Sequence, residues 1–158
     1  MPLFGKGKYT LVKLVKKKDI PHGLWTKCPD CGELIYNKAL KEGLTVCQKC
    51  NYHFTLSAQE RITLLIDKGS FEELESQIRP VDPLDFKGPK DYKHKLVEEK
   101  KKTNLFDACI VGVGRINKKK LVFAVTDSRF MMGSMGSVVG EKLTRVIELA
   151  TKSKLPLV

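Results

Sequence analysis

Two Cys-x-x-Cys pairs, Cys28-Pro29-Asp30-Cys31 and Cys47-Gln48-Lys49-Cys50, stand fifteen residues apart in this 158-residue chain. No other feature restricts its folding as much. A Cys-x-x-Cys turn presents two sulfurs from one knuckle, and two such knuckles supply the four soft donors of a tetrahedral zinc site. The spacing falls in the zinc-ribbon range, and Gly32 after the first pair suits a tight turn. The span from Glu33 to Val46 has the length of a short hairpin that returns the second knuckle to the first. Four thiolates close the shell, so the expected Zn2+ is structural, one per chain. A redox disulfide pair is the competing reading, disfavoured in a reducing compartment. His53 follows Cys50 by three residues and could replace a sulfur; His22 has no partner at ligand spacing. Cys109, in an apolar stretch, reads as a small core residue.

Composition sets the wider frame. Hydrophobic residues make up 42% and charged residues 30% of the chain, a globular balance. No apolar run approaches the ~20 residues that cross a bilayer, and the start of the chain has no signal-peptide pattern. The cytoplasm is therefore the expected location. The formal charge is +11, about +9 once four thiolates and a Zn2+ are counted. Six lysines and no acid lie within residues 1–18, seven lysines within 87–102, and Lys118, Lys119 and Lys120 are consecutive. Such clusters attract polyanions, although solvated faces give the same pattern. Trp25, Tyr36, Tyr52 and Phe54 alternate with Lys27, Lys38 and Lys49 around the cysteines. They could stack on nucleic acid or simply cover the small hairpin.

Four segments follow. Residues 1–22 form a basic flexible lead-in, residues 23–56 the cysteine module, residues 57–102 a helix and charged connector, and residues 103–158 a different, β-rich region. Ser57 and Glu60 form a capping box, and Ala58, Ile62, Leu65 and Ile66 share one helical face, with Gly69 as the C-terminal cap. Residues 80–89 are proline-punctuated loop. Residues 91–102 are charged and helical, with little to bury. Residues 108–116 are β-rich, interrupted by Gly112 and Gly114. Asn117 to Lys120 reads as a turn, and Leu121 to Thr126 as a strand buried on both faces. A second helix starts at Ser137, with Leu143, Val146, Ile147 and Ala150 on its apolar side. Leu155 to Val158 begins another strand, giving a right-handed parallel crossover. The sequence stops inside that strand, which leads us to expect the front part of a longer protein. Between strand and helix lies Gly133-Ser134-Met135-Gly136, either a tight turn or an anion site made of backbone amides at a helix start.

Taken together, these residues are specific. The run from Asp127 to Lys142 (DSRFMMGSMGSVVGEK), the stretch GLWTKCPDCGELIY from Gly23 to Tyr36, the Cys47/Cys50 pair and Gly69-Ser70-Phe71 resemble the carboxyltransferase beta subunit of bacterial acetyl-CoA carboxylase. The resemblance runs in register from about residue 23 to the end. It implies an α/β protein: a small β zinc ribbon followed by the first ββα units of a crotonase-like (ClpP/crotonase) spiral. It also implies carboxyl transfer from carboxybiotin to acetyl-CoA, giving malonyl-CoA for fatty-acid synthesis. The implied partners are an alpha subunit in an alpha2beta2 assembly, the biotin carboxyl carrier protein and biotin carboxylase. In the family a glycine pair that stabilises oxyanions is expected beyond Val158, so no catalytic residue is assigned and this chain alone is expected to be inactive. Gly133, Ser134, Met135 and Gly136 are the candidate CoA-side loop. The alternative is a basic zinc-ribbon protein that binds nucleic acid, for which the strand–helix–strand crossover would have no use.

Overall fold

A computed structural model describes residues 23–89 and 91–158. The expected lead-in and His22 lie outside them. The chain divides into two compact units, the first ending at His53 and the second running from Phe54 to Val158.

In the first unit, β1 (Trp25–Lys27) pairs antiparallel with β2 (Leu34–Tyr36), and α1 (Asn37–Glu42) follows at once. The expected hairpin over Glu33 to Val46 is thus replaced by a strand and a helix. The hairpin instead closes around the first knuckle, and a Val46–His53 bridge closes a second around the other. Helix α1 spans the gap because Asn37 to Glu42 lacks β-branched residues and seats Leu40 in the interior.

The second unit is a three-layer sandwich. Its sheet has the order β3 (Glu72–Leu74), β4 (Cys109–Ile116), β5 (Lys119–Thr126), all antiparallel. Residues 155–158 run beside β5 in parallel, through Val122 and Leu157, as a crossover requires. Helix α4 (Ser137–Ser153) covers one face, where Val139, Val146 and Ala150 meet Val111 and Val122. Helix α2 (Ala58–Leu65) covers the other, where Ala58 and Ile62 meet Ile110, Leu121, Phe123 and Val125. Alternate residues of β5 therefore serve opposite layers, so its run of apolar residues is buried on both sides. Helix α3 (Tyr92–Thr103) buries no residue fully, in keeping with its expected exposure.

Several expectations are corrected. The Ser57–Glu60 capping box is present, but α2 ends at Leu65, and Ile66 is already extended. Asp67 then donates its N–H to the carbonyl of Arg115 at 2.7 Å, drawing the chain onto the β-hairpin, so Gly69 (φ +75°) closes a turn and caps no helix. Leu65 faces outward while Ile66 is buried. Gly112 and Gly114 do not interrupt β4. A Cβ at Gly112 would run into the Glu72 carbonyl and the Phe71 ring, and one at Gly114 would lie 2.9 Å from Ile66, so glycine is what lets β3 and α2 close in. The turn shrinks to Asn117 and Lys118, with Lys119 and Lys120 already in β5. On α4, Ile147 is exposed and Leu149 packs on the core in its place. At the end, Leu155 packs inward but Leu157 and Val158 are exposed, so this strand is not buried here.

Candidate metal centre and glycine loop

The two cysteine knuckles are built alike. In the first, Cys28 donates its N–H to the Glu33 carbonyl (2.8 Å), and Gly32 donates to that of Cys28 (3.0 Å). In the second, Cys47 donates to the Tyr52 carbonyl (2.8 Å) and Asn51 to that of Cys47 (2.9 Å). The residue after each second cysteine must therefore turn left-handed: Gly32 has φ +72° and Asn51 φ +60°. Asparagine is the side chain best able to take that conformation after glycine. Sequence reasoning used Gly32 and overlooked Asn51, although its position relative to Cys50 carried the same signal.

These turns bring four sulfurs together. All lie within 4.8 Å of one another, and Cys28–Cys50 and Cys31–Cys47 are each 3.7 Å apart. A tetrahedron with Zn–S of about 2.3 Å has an edge of about 3.8 Å, so the donor set fits zinc in number, softness and spacing. A disulfide would need sulfurs about 2.05 Å apart, and all five cysteines are free thiols. Cys28 and Cys47 are buried while Cys31 and Cys50 are half-exposed. The N–H of Cys50, with further hydrogen bonds, holds the Cys47 thiol down at about 7. Burial and neighbouring thiols push that of Cys50 up. Four sulfurs this close cannot all ionise without a cation between them. Among the described residues this is the one cluster of metal donors, and His53 is not part of it. Cys109 sits in the core, where burial first, and then the nearby Asp107 carboxylate, pushes its thiol up to about 11.

The glycine loop belongs to the second unit. After β5, Asp127 starts a chain of turns in which Met131, Met132 and Gly133 all have positive φ (45°, 59° and 73°). Gly136 caps α4 without any side-chain bond to the first-turn amides, and a Cβ there would meet nothing within 4 Å. Ser134, Met135 and Gly136 line a shallow depression with Pro80, Tyr92 and Leu96, and Met132 and Met135 point largely into solvent. The loop is thus open, with amides available at a helix start.

Two buried carboxylates that sequence reasoning did not single out position this loop. Asp127 accepts from the N–H of Ala58 at the start of α2 (2.9 Å) and from the backbone and guanidinium of Arg129. Burial alone would raise its carboxyl, but those bonds hold it below the usual range. Asp107 pairs with Lys142 on α4, and both border a larger cavity of 460 Å3 that also reaches Arg79, Phe106 and Arg129. For Asp107 the only signal was a polar residue between Phe106 and Ala108, which does not identify its partner; Asp127, between Thr126 and Ser128, carried none.

Comparisons with known proteins agree with this architecture. Residues 25–50 match the acetyl-CoA carboxylase zinc finger domain family. The acetyl-coenzyme A carboxylase carboxyl transferase subunit beta of Carboxydothermus hydrogenoformans is 49% identical over 98% of this chain and 55% of its own length. That of Desulforamulus reducens is 45% identical over all of this chain and 57% of its own length. The chloroplastic subunit of Pyropia yezoensis is 50% identical over 93% and 51%. The chain thus spans about half the length of the curated relatives it matches. Among solved structures, a single-chain, multi-domain long-chain acyl-CoA carboxylase superposes with a TM-score of 0.53 at 22% identity, over 66% of this chain and 10% of that one. Transcarboxylase 12S does so with 0.50 at 23%, over 65% and 18%. Over about two thirds of its length the chain therefore shares the crotonase-type fold.

Proposed function

We propose, from this chain's membership of the acetyl-coenzyme A carboxylase carboxyl transferase beta-subunit family, that it forms the zinc-bearing part of a carboxyltransferase acting on acetyl-CoA. The observation that carries the reading is the similarity to those subunits over nearly the whole chain, 49% identical in one case, together with the zinc-finger match over the four-sulfur cluster. Cys28, Cys31, Cys47 and Cys50 hold one Zn2+, whose closed shell stabilises the ribbon and offers no site for substrate. The whole protein moves a carboxyl group from carboxybiotin on a carrier protein to acetyl-CoA, making malonyl-CoA. It works with an alpha subunit, and biotin carboxylase reloads the carrier.

The chain's own contribution is binding and orientation. Gly133, Ser134, Met135 and Gly136 form the CoA-side wall, where uncapped amides at the start of α4 and the exposed Met132 and Met135 accommodate a ligand with polar and apolar parts. Asp127 and the Asp107–Lys142 pair hold that wall in place. Stabilisation of the acetyl enolate is assigned to residues outside this chain. The test is a malonyl-CoA assay with alpha subunit and carboxybiotin, comparing this chain with one extended to the full length of its relatives, at matched zinc content. The extended chain should turn over and the short one should not. Equal rates would refute this division of labour.

A second reading has an observation of its own. Trp25 and Tyr36 are cross-strand neighbours with ring centroids 5.4 Å apart, and both remain exposed, so covering the hairpin accounts for only part of their surface. An exposed aromatic pair near Lys27 and Lys38 suits stacking on single-stranded nucleic acid. Gel-shift titration of Trp25→Ala against salt tests it: loss of RNA binding supports the reading, and unchanged binding removes it.

A further inference from the structure

The tip of the β4–β5 hairpin carries four cations, Arg115, Lys118, Lys119 and Lys120. Arg115 and Lys120 face each other directly across the strands, Lys119 faces Ile116, and Lys118 sits in the turn. All four are exposed, and none takes part in an ion pair among the described residues. Like charges directly opposite each other destabilise a hairpin. Lys118 adds a second cost. It holds φ +67° after Asn117 at +49°, a two-residue turn whose second position favours glycine. The sequence keeps a lysine there against the local preference.

Asp67 lies beside the turn and offsets part of this charge, but it forms no ion pair with any of the four. Asp67 accepts the N–H groups of Asn117 (3.1 Å) and Lys118 (2.7 Å), and its own N–H donates to the Arg115 carbonyl. The result is a cationic tip tied to the end of α2, with Lys119 on the α2 side of the hairpin and Arg115 and Lys120 on the α4 side. That end is apolar at the surface: Leu64 and Leu65, three and two residues before Asp67, are 49% and 42% exposed. Lys68 extends the charge on the other side of Asp67.

We propose that this hairpin tip and the end of α2 form a docking surface for another protein that presents carboxylates together with apolar side chains. Charge complementarity selects an anionic partner. The exposed leucines select a protein over nucleic acid, since a phosphate backbone gives them nothing to bury against and the tip carries no exposed aromatic ring for stacking. The surface lies outside the glycine loop and the ribbon, so it does not depend on the carboxyltransferase reading.

The test uses the full-length protein and fluorescence anisotropy with three labelled probes: a short peptide of alternating glutamate and leucine, poly-glutamate, and a single-stranded RNA. The Lys118→Glu/Lys119→Glu/Lys120→Glu variant should weaken peptide binding by at least about tenfold. Leu64→Ser/Leu65→Ser should weaken the peptide several-fold and leave poly-glutamate unchanged. RNA binding should be far less affected by either variant. Lys118→Gly guards against misfolding, because it relieves the turn and should raise stability while still weakening the peptide. Peptide binding that survives the triple variant overturns the proposal. So does binding indifferent to the leucines, or RNA binding that falls as far as peptide binding, which would mark a phosphate-binding surface instead.

Discussion

The ammonium of Lys142 lies 2.7 Å from a carboxylate oxygen of Asp107, with 3% and 8% of the two side chains exposed. Lys142 also donates to the Cys109 carbonyl (3.0 Å), and Asp107 accepts the Cys109 N–H (2.8 Å). The pair thus fastens α4 to the first residue of β4, beside the glycine loop. Removing one partner of such a pair leaves a buried charge and typically costs ~3–5 kcal/mol. Lys142→Met and Asp107→Asn should each lower stability by that order in urea unfolding. Replacing both with apolar residues should recover much of the loss. A single variant as stable as the parent would show that the pair is not buried in solution.

Zinc should be stoichiometric and confined in its effect. Elemental analysis should give about one ion per chain, and Cys47→Ser should lose it. Structural zinc contributes ~10–16 kcal/mol in small modules, so chelation should unfold the ribbon. The second unit has its own two apolar layers and should keep its unfolding transition. A joint collapse of both units on chelation would contradict this independence.

Acid should act through Asp127. Its carboxyl is held below the ordinary range in the folded chain, so its stabilisation is complete above the unfolded value of about 3.9 and is lost as pH falls through the folded value. Asp127→Asn should therefore be destabilised at neutral pH. Its deficit relative to the parent should shrink in unfolding curves taken below about pH 4. A deficit constant from neutral to strongly acidic pH would mean that the charge is not what matters.

Two glycines should respond to different degrees. Gly112→Ala forces a methyl group into the Glu72 carbonyl and the Phe71 ring, and overpacking of this kind costs ~1–3 kcal/mol. Gly136→Ala meets open space at an ordinary φ of −96°, and the change at a helix N-cap should cost under ~1 kcal/mol. Thermal unfolding distinguishes them. If Gly136→Ala folds normally but raises the KM for acetyl-CoA in the full-length enzyme, the loop contacts the ligand; an unchanged KM removes it from the binding wall.

Local chemistry was legible from the sequence. The cysteine spacing anticipates two knuckles, because each turn is specified within six residues by its own hydrogen bonds. The Ser57–Glu60 box starts α2 for the same reason. The alternate burial of Leu121 to Val125 follows from one apolar run between two helical layers. Partner choice over distance was not legible. Glu72 to Leu74 is a short acidic segment with no strand pattern, and it becomes β3 only because Gly112 lets it approach β4. Gly69 suits a helix end, yet the bond from Asp67 to Arg115, far along the chain, ends α2 sooner. Lys142 shares the helical stripe of Val146 and Ala150, but its partner is fixed only when Asp107, thirty-five residues earlier, meets it inside. What a sequence determines alone is what short-range bonds and periodicity can encode. Which polar groups are buried, and against which partner, is decided only when distant segments pack and each buried donor must find an acceptor.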